Sequence, residues 1–296
     1  MPIALPSPQV LELNGADATA FAHAQFASDV RALASGHWHW SAWLSAQGRV
    51  RAFFRVVRTG DERLLLILQG GMAETLRAAL TPFVFRAKVQ LRAIESWRAV
   101  GFNRLADVLD FLGAAPGPTD AIVAGDRIGL ALPGPQPRWY VLGEQVSAAT
   151  ADASPAGLNR WNAADVAAGI VEVGDAQADR FLPSWLGLDE LGAVSVRKGC
   201  YPGQEIVARL HFKGGSKRWL HQLAFRADTM PEAGTPLASD SNAAAGGELL
   251  RAAWTDPGQG VALATLPKLP AGASLLAPAM PAASFRVVST IDSPSD

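Results

Sequence analysis

The residue with the most distinctive chemistry is Cys200, the single cysteine of this 296-residue chain. It lies between Lys198-Gly199 and the turn Tyr201-Pro202-Gly203. A thiol in a cationic turn is more reactive than a thiol in a core, so Cys200 is a candidate nucleophile or sulfur-binding group. A free cysteine is also commonly a small buried apolar residue, and the neighbouring residues leave both interpretations open.

The segment from residue 197 to residue 218 is strongly cationic. Three of the five lysines of the chain fall within it, and Glu205 is its single carboxylate. Its cationic residues are Arg197, Lys198, Arg209, Lys213, Lys217 and Arg218. Such a positive field suits an anion or docking on phosphate, and it is equally typical of a solvated basic loop.

The composition restricts the chemistry further. One cysteine forms no internal disulfide, and zinc or iron–sulfur sites use about four protein ligands, so we expect no metal site within this chain. The net charge of −1 at pH 7 argues against wholesale electrostatic binding to nucleic acid. The sequence lacks a basic segment leading into an apolar run at its start, and prolines interrupt the apolar residues 269–285. We therefore expect no signal peptide, no membrane span and a reducing, cytoplasmic location.

Periodicity predicts the elements that hold these residues. At about 100–200 residues per domain, the length indicates two or three domains. Residues 17–30 are predicted to form a helix that begins at Asp17, and the turn 59–62 predicts a hairpin of strands 50–57 and 64–68. Together with a helix near 72–80 and a strand near 88–94, this order is half of a ferredoxin-like α+β unit. A helix is predicted near 155–168, and short apolar runs beyond Arg218 predict a small β-domain.

Residues 198–218 resemble a family signature. They run Lys198-Gly199-Cys200-Tyr201-Pro202-Gly203-Gln204-Glu205, then Ala208-Arg209, Gly214 and Lys217-Arg218. This pattern is similar to the signature of the YgfZ family, whose members are relatives of the glycine-cleavage T-protein, a tetrahydrofolate-dependent aminomethyltransferase. Further matches lie at Gly15-Ala16-Asp17, Gln47-Gly48-Arg49-Val50, Trp161 and Phe181-Leu182-Pro183. The resemblance spans nearly the full length.

The resemblance implies a T-protein-like α+β fold with two ferredoxin-like α+β domains and a C-terminal β-barrel. We expect residues 1–35 and 115–218 to form an interleaved folate-binding α+β domain. Residues 36–114 are then the second ferredoxin-like domain, and residues 219–296 the β-barrel.

The resemblance also implies a ligand and site residues. Tetrahydrofolate or a related folate is expected in a central cavity, with Trp161 in contact with it. By their match to the signature, the other expected folate-binding residues are Lys198, Tyr201, Gln204, Glu205 and Arg209, and Cys200 is the expected reactive thiol. The sequence departs from the family pattern at Ala167, Ser184 and Gly187, where polar side chains that could contact the ligand are missing.

Three functions remain open, in order of preference. The first is a folate-binding accessory protein that supports the assembly or repair of iron–sulfur enzymes, including those that modify tRNA. The second is an aminomethyltransferase-like one-carbon transferase, for which no acid or base can be identified beside the signature. The third is direct binding of tRNA through the cationic segment, which would be weak and salt-sensitive in a protein of this net charge.

Overall fold

The structure is a computed structural model that describes residues 1–239 and 242–291. Its α-helices are α1 (Ala18–Gln25), α2 (Ala73–Val84), α3 (Leu105–Leu112), α4 (Pro155–Ala167) and α5 (Gln204–Lys213). Short 3₁₀ segments lie at Val30–Ala32, Asp175–Gln177 and Pro183–Leu186. In these residues, no helix combines the length and apolar character that crossing a bilayer requires.

The strands fall into two sheets and a barrel. In chain order they are β1 (Ile3–Leu5), β2 (Val10–Asn14), β3 (His37–Leu44), β4 (Val50–Arg58), β5 (Arg63–Leu68), β6 (Gln90–Ile94), β7 (Arg98–Phe102), β8 (Ala121–Ala124), β9 (Arg127–Leu132), β10 (Arg138–Gly143), β11 (Trp219–Arg226), β12 (Pro236–Ser239), β13 (Asn242–Asp256), β14 (Gln259–Leu266), β15 (Ser274–Leu276) and β16 (Ser284–Ile291).

The first sheet has the antiparallel order β3-β4-β5-β2-β6. The predicted hairpin is its β4–β5 pair. Alternate side chains of a strand point to opposite faces. Phe54 and Val56 of β4 accordingly pack on the face covered by α1 and α2. Phe53 and Val57 point to the other face, which joins the central core.

The second sheet has the antiparallel order β1-β7-β10-β9-β8, and α3 packs on its outer face. The strands beyond Arg218 close into a barrel of order β11-β14-β13-β12-β15-β16. The predicted α+β architecture with a C-terminal β-barrel is therefore present. The central core takes side chains from both sheets, from α4 and from the barrel, and α4 lies against β13.

Two expectations differ from the structure. The helix predicted over 17–30 ends at Gln25, because Phe26 is extended and bridges to Trp43. The expected division also groups residues 10–14 with 115–218, whereas β2 pairs with β5 and β6 in the first sheet. Conversely, β7 lies within the range 36–114 but pairs with β10 and β1 of the second sheet.

Candidate functional site

Lys198 fastens the signature turn, defined here as residues 195–204, to the end of α1. Its ammonium donates hydrogen bonds to the backbone carbonyls of His23, Phe26 (2.5 Å) and Ser28 (3.1 Å). The last carbonyls of a helix lack partners within the helix, and a lysine satisfies them well. Burial, which leaves Lys198 7% exposed, lowers its pKa to about 8. Lys198 is thus still mostly protonated at neutral pH.

The signature turn is also closed on itself. The Tyr201 hydroxyl donates to the carbonyl of Ser195 at 3.1 Å, and the Gln204 amide donates to the carbonyl of Lys198 at 3.2 Å. The Lys198 ammonium lies 4.9 Å from the centre of the Tyr201 ring. Tyr201 is buried, and this burial raises the pKa of its hydroxyl. Lys198, Tyr201 and Gln204 therefore form one rigid cluster.

The signature turn packs against the hairpin turn that contains Gly48. Gly203 has a φ of +80°, and a Cβ there would lie 2.5 Å from the carbonyl oxygen of Ser45 and 2.6 Å from the Cα of Gly48. Only glycine combines this backbone conformation with so close an approach. The two sequence segments that resemble the YgfZ family at 47–50 and 198–205 are therefore in direct contact.

The other signature residues face solvent. Cys200 is an exposed free thiol, which excludes the alternative of a buried apolar residue. Glu205 and Arg209 are exposed on α5. The structure thus brings Lys198, Tyr201 and Gln204 together and leaves Cys200, Glu205 and Arg209 accessible to a partner.

Trp161 lies apart from this cluster, on α4 and only 7% exposed. Its ring packs on Gly101 of β7, where a Cβ would come within 2.4 Å of it. The guanidinium of Arg138 lies 5.1 Å from the ring centre, and an N–H of Arg138 donates to the Trp161 carbonyl at 3.3 Å. Trp161 therefore helps to position the guanidinium of Arg138, through its ring and its backbone carbonyl.

One turn after Trp161, Asp165 joins three parts of the fold. It is 3% exposed. Its Oδ1 lies 2.5 Å from Nη1 of Arg138 on β10, and its Oδ2 lies 2.8 Å from Nη2 of Arg251 on β13. Arg251 also contacts Asn162 at 3.0 Å and Glu172 at 3.1 Å. We call Asp165, Arg138 and Arg251 the Asp165 cluster. Sequence reasoning missed it, because its members are distant in the chain.

A cavity of ≈ 690 Å³ opens beside this cluster. Its walls include Trp38, Trp40, Trp139, Arg138 and the proline-rich loop 133–137, and we call it the tryptophan-lined cavity. His39 also lines it, and its Nε2 lies 2.9 Å from the hydroxyl of Ser28. Burial lowers the pKa of His39 to about 4, so the imidazole is neutral at pH 7. Flat aromatic walls with a few polar groups are typical of a small-molecule site.

Asp189 is a further titratable group that the sequence did not indicate. It is partly buried close to the signature turn, and burial raises its pKa. Its charge in turn raises the pKa of Tyr201. In the ranges 1–239 and 242–291, no group of three or more His, Cys, Asp or Glu residues could hold a metal ion.

No protein-family model matches the chain. The chain is similar to proteins named tRNA-modifying protein YgfZ. It is 29% identical over 239 residues to the protein of that name from Edwardsiella ictaluri (strain 93-146). The aligned part covers 77% of this chain and 72% of the relative. It is 27% identical over 259 residues to the one from Klebsiella pneumoniae (strain 342), which covers 83% and 79% of the two chains.

The fold is similar to that of the glycine cleavage system aminomethyltransferase T from Bartonella henselae. The TM-score is 0.75, and the match covers 97% of this chain and 84% of that protein. At 16% sequence identity this similarity concerns the fold. It confirms the T-protein-like arrangement of two α+β units and a C-terminal barrel.

Proposed function

Taking the chain as a relative of the YgfZ proteins, as its signature led us to expect, we propose that it is a folate-binding accessory protein of the cytoplasm. It supports the assembly or repair of iron–sulfur enzymes, including enzymes that modify tRNA. The observation that carries this proposal is the similarity to tRNA-modifying YgfZ proteins over 77% and 83% of the chain.

The tryptophan-lined cavity is the proposed folate site. Its volume of ≈ 690 Å³ lies within the range of about 300–1,000 Å³ that is usual for small-molecule sites. Tryptophan rings offer flat apolar surfaces to the rings of a folate, and His39 supplies a polar group at the wall. Trp161 contributes through Arg138, which rests on its ring.

The signature turn has the proposed role of presenting the Cys200 thiol. Lys198, Tyr201 and Gln204 hold the turn, while Cys200, Glu205 and Arg209 are accessible to a client protein. An iron–sulfur cluster or sulfur species would come from the partner, as cargo. Contact with tRNA through the exposed cations of α5 is the weaker alternative, and a binding constant that falls steeply with salt would reveal it.

An accessory role is favoured over a transferase role by the state of the buried carboxylates. Glu12 and Asp165 are the buried carboxylates among the described residues, and each pairs with two arginines. Although burial acts in the opposite direction, Arg63 and Arg92 lower the pKa of Glu12, which suits neither an acid nor a base near neutral pH, and both oxygens of Asp165 are occupied by arginines. Asp189 has a raised pKa and is the residue to test for the alternative. We expect no turnover of methylene-tetrahydrofolate, and turnover that disappears in Asp189→Asn would establish the transferase.

Complementation tests the cellular role. A strain that lacks its own YgfZ-type protein receives the native chain or Cys200→Ser, and thiolated tRNA is quantified. Tetrahydrofolate binding by both purified proteins is measured in parallel. We expect both to bind folate and only the native chain to restore thiolation. Equal rescue by both would show that the thiol is dispensable, and no rescue by a well-expressed native chain would refute the proposal.

A further inference from the structure

Arg55 is a charged residue in the centre of the molecule. It lies in the middle of β4, between Phe53 and Val57, which both belong to the central core. Alternation along the strand places Arg55 on that same face, toward the second sheet. It is only 4% exposed.

The guanidinium of Arg55 is held between aromatic rings. Its carbon lies 4.5 Å from the ring centre of Trp40 on β3 and 5.2 Å from that of Tyr140 on β10. Its Nε is buried without a hydrogen-bond partner. Over residues 1–239 and 242–291, no carboxylate lies within ion-pair distance of it, and the carboxylate of Asp165 pairs with Arg138 and Arg251.

This arrangement leaves an excess of buried positive charge. Three buried arginines (Arg55, Arg138 and Arg251) face one buried carboxylate, Asp165, and the more exposed Glu172 pairs with Arg251, so Arg55 is the one left without an ion pair. Burial lowers the pKa of Arg55 to about 10, so it remains charged at neutral pH. Contact with two aromatic rings offsets only part of the loss of hydration of this guanidinium, whose Nε has no acceptor. The folded chain therefore leaves at least one donor of Arg55 without an acceptor.

The tryptophan-lined cavity leads to this position. Trp40 is both a wall of the cavity and the ring that covers Arg55. Arg138 lines the cavity as well, and it contacts Asp165 behind the wall. Arg55 itself does not line the cavity, and the ring of Trp40 separates its guanidinium from the cavity. A ligand in the cavity would therefore reach Arg55 if Trp40 moved aside.

We propose that Arg55 binds the acceptor edge of the ligand in this cavity, with two donors of its guanidinium directed at two acceptors in one plane. Arginine binds carboxylates in this way, and it reads the carbonyl-bearing edge of guanine similarly. The proposal rests on the folate-binding function above. In a folate the edge is either the carbonyl-bearing side of the pteridine ring or a carboxylate of the glutamate tail.

The test compares Arg55→Met with Arg138→Met, an equally buried arginine whose donors have partners. The thermal unfolding of each protein is measured alone and with tetrahydrofolate, pterin or p-aminobenzoylglutamate, and the dissociation constants are determined. Without ligand, we expect Arg55→Met to be at least as stable as the native chain and Arg138→Met to be less stable. We expect Arg55→Met to raise the dissociation constant for tetrahydrofolate about ten- to hundredfold.

The two fragments identify the bound edge, because only the fragment that carries it should lose affinity in Arg55→Met. Two outcomes overturn the role of Arg55: unchanged affinity of Arg55→Met for a folate that the native chain binds, or a loss of ligand-free stability as large as that of Arg138→Met. A native chain that binds none of the three probes refutes the proposed folate function, and the role of Arg55 with it. Arg55→Lys, which keeps the charge and loses the planar pair of donors, should recover only part of the affinity.

Discussion

Replacing Asp165 by Asn should destabilise the protein strongly. The carboxylate of Asp165 is 3% exposed and neutralises Arg138 at 2.5 Å and Arg251 at 2.8 Å. Removing one partner of a buried ion pair typically costs about 3–5 kcal/mol, because the other charge is left without compensation. Since α4, β10 and β13 carry these residues, the loss affects the contacts among α4, the second sheet and the barrel.

The remaining contacts place the expected loss at the lower end of that range. Arg138 keeps its hydrogen bonds to the carbonyls of Pro133 and Trp161. Arg251 keeps its hydrogen bond to the carbonyl of Ile170 and its ion pair with Glu172. We therefore expect Asp165→Asn to lower the free energy of unfolding by about 3 kcal/mol. Urea unfolding, followed by circular dichroism and tryptophan fluorescence, measures this loss.

A matched control isolates the effect of burial. Glu74 and Arg77 form an equally short pair, at 2.6 Å, on the exposed surface of α2, so Glu74→Gln should change the stability little. The double variant Asp165→Asn/Arg138→Met should recover part of the lost stability, because Arg138 has its ion pair with Asp165 alone, whereas Arg251 keeps Glu172. A loss under about 1 kcal/mol for Asp165→Asn, or one no larger than that of Glu74→Gln, would refute the reasoning.

Three further predictions concern the signature turn and the cavity wall. Burial lowers the pKa of Lys198 from 10.5 to about 8, so between pH 8 and pH 10.5 this group holds its proton more in the unfolded chain than in the folded one. Lys198 therefore makes the free energy of unfolding rise with pH in that range. Lys198→Met should remove the rise, which is measured by urea unfolding at about pH 7.5 and about pH 10. Burial lowers the pKa of His39 from 6.5 to about 4, so its contribution to stability is complete above pH 6.5 and declines as the pH falls toward 4. His39→Gln should flatten this decline in the free energy of unfolding. If the dependence of stability on pH is unchanged in the variant, the decline comes from other groups. Gly203→Ala should lower the melting temperature markedly, because a Cβ would lie 2.5 Å from the Ser45 oxygen at a φ of +80°, whereas the same change at exposed Gly199, which has no atom within 4 Å of an added Cβ, should do little.

Much of the fold follows from local patterns. The apolar run over residues 50–57 predicts the strand β4, and the Thr59–Glu62 turn predicts its pairing with β5. The helix predicted near 155–168 is α4, whose bounds of Pro155–Ala167 agree closely with expectation, and the structure adds that Ser154 caps it. These signals are readable because hydrogen bonding and steric preference within a few residues determine them. The end of α1 at Gln25 could not be predicted from local patterns, since it depends on the pairing of Phe26 with Trp43, which lies on another strand further along the chain.

The sequence by itself determined that one thiol lies in a cationic glycine–proline turn, that no disulfide can form within the chain, and that the chain resembles the YgfZ family. Only the tertiary structure decided what these charges do. Lys198 is committed to carbonyls at the end of α1, more than 160 residues earlier, whereas Arg209 remains in solvent. Arg138 pairs with Asp165, whereas the guanidinium of Arg55, on β4, lies between the rings of Trp40 and Tyr140. The physical reason is that the energy of a charge depends on its burial and its partners, and both come from elements far apart in the chain.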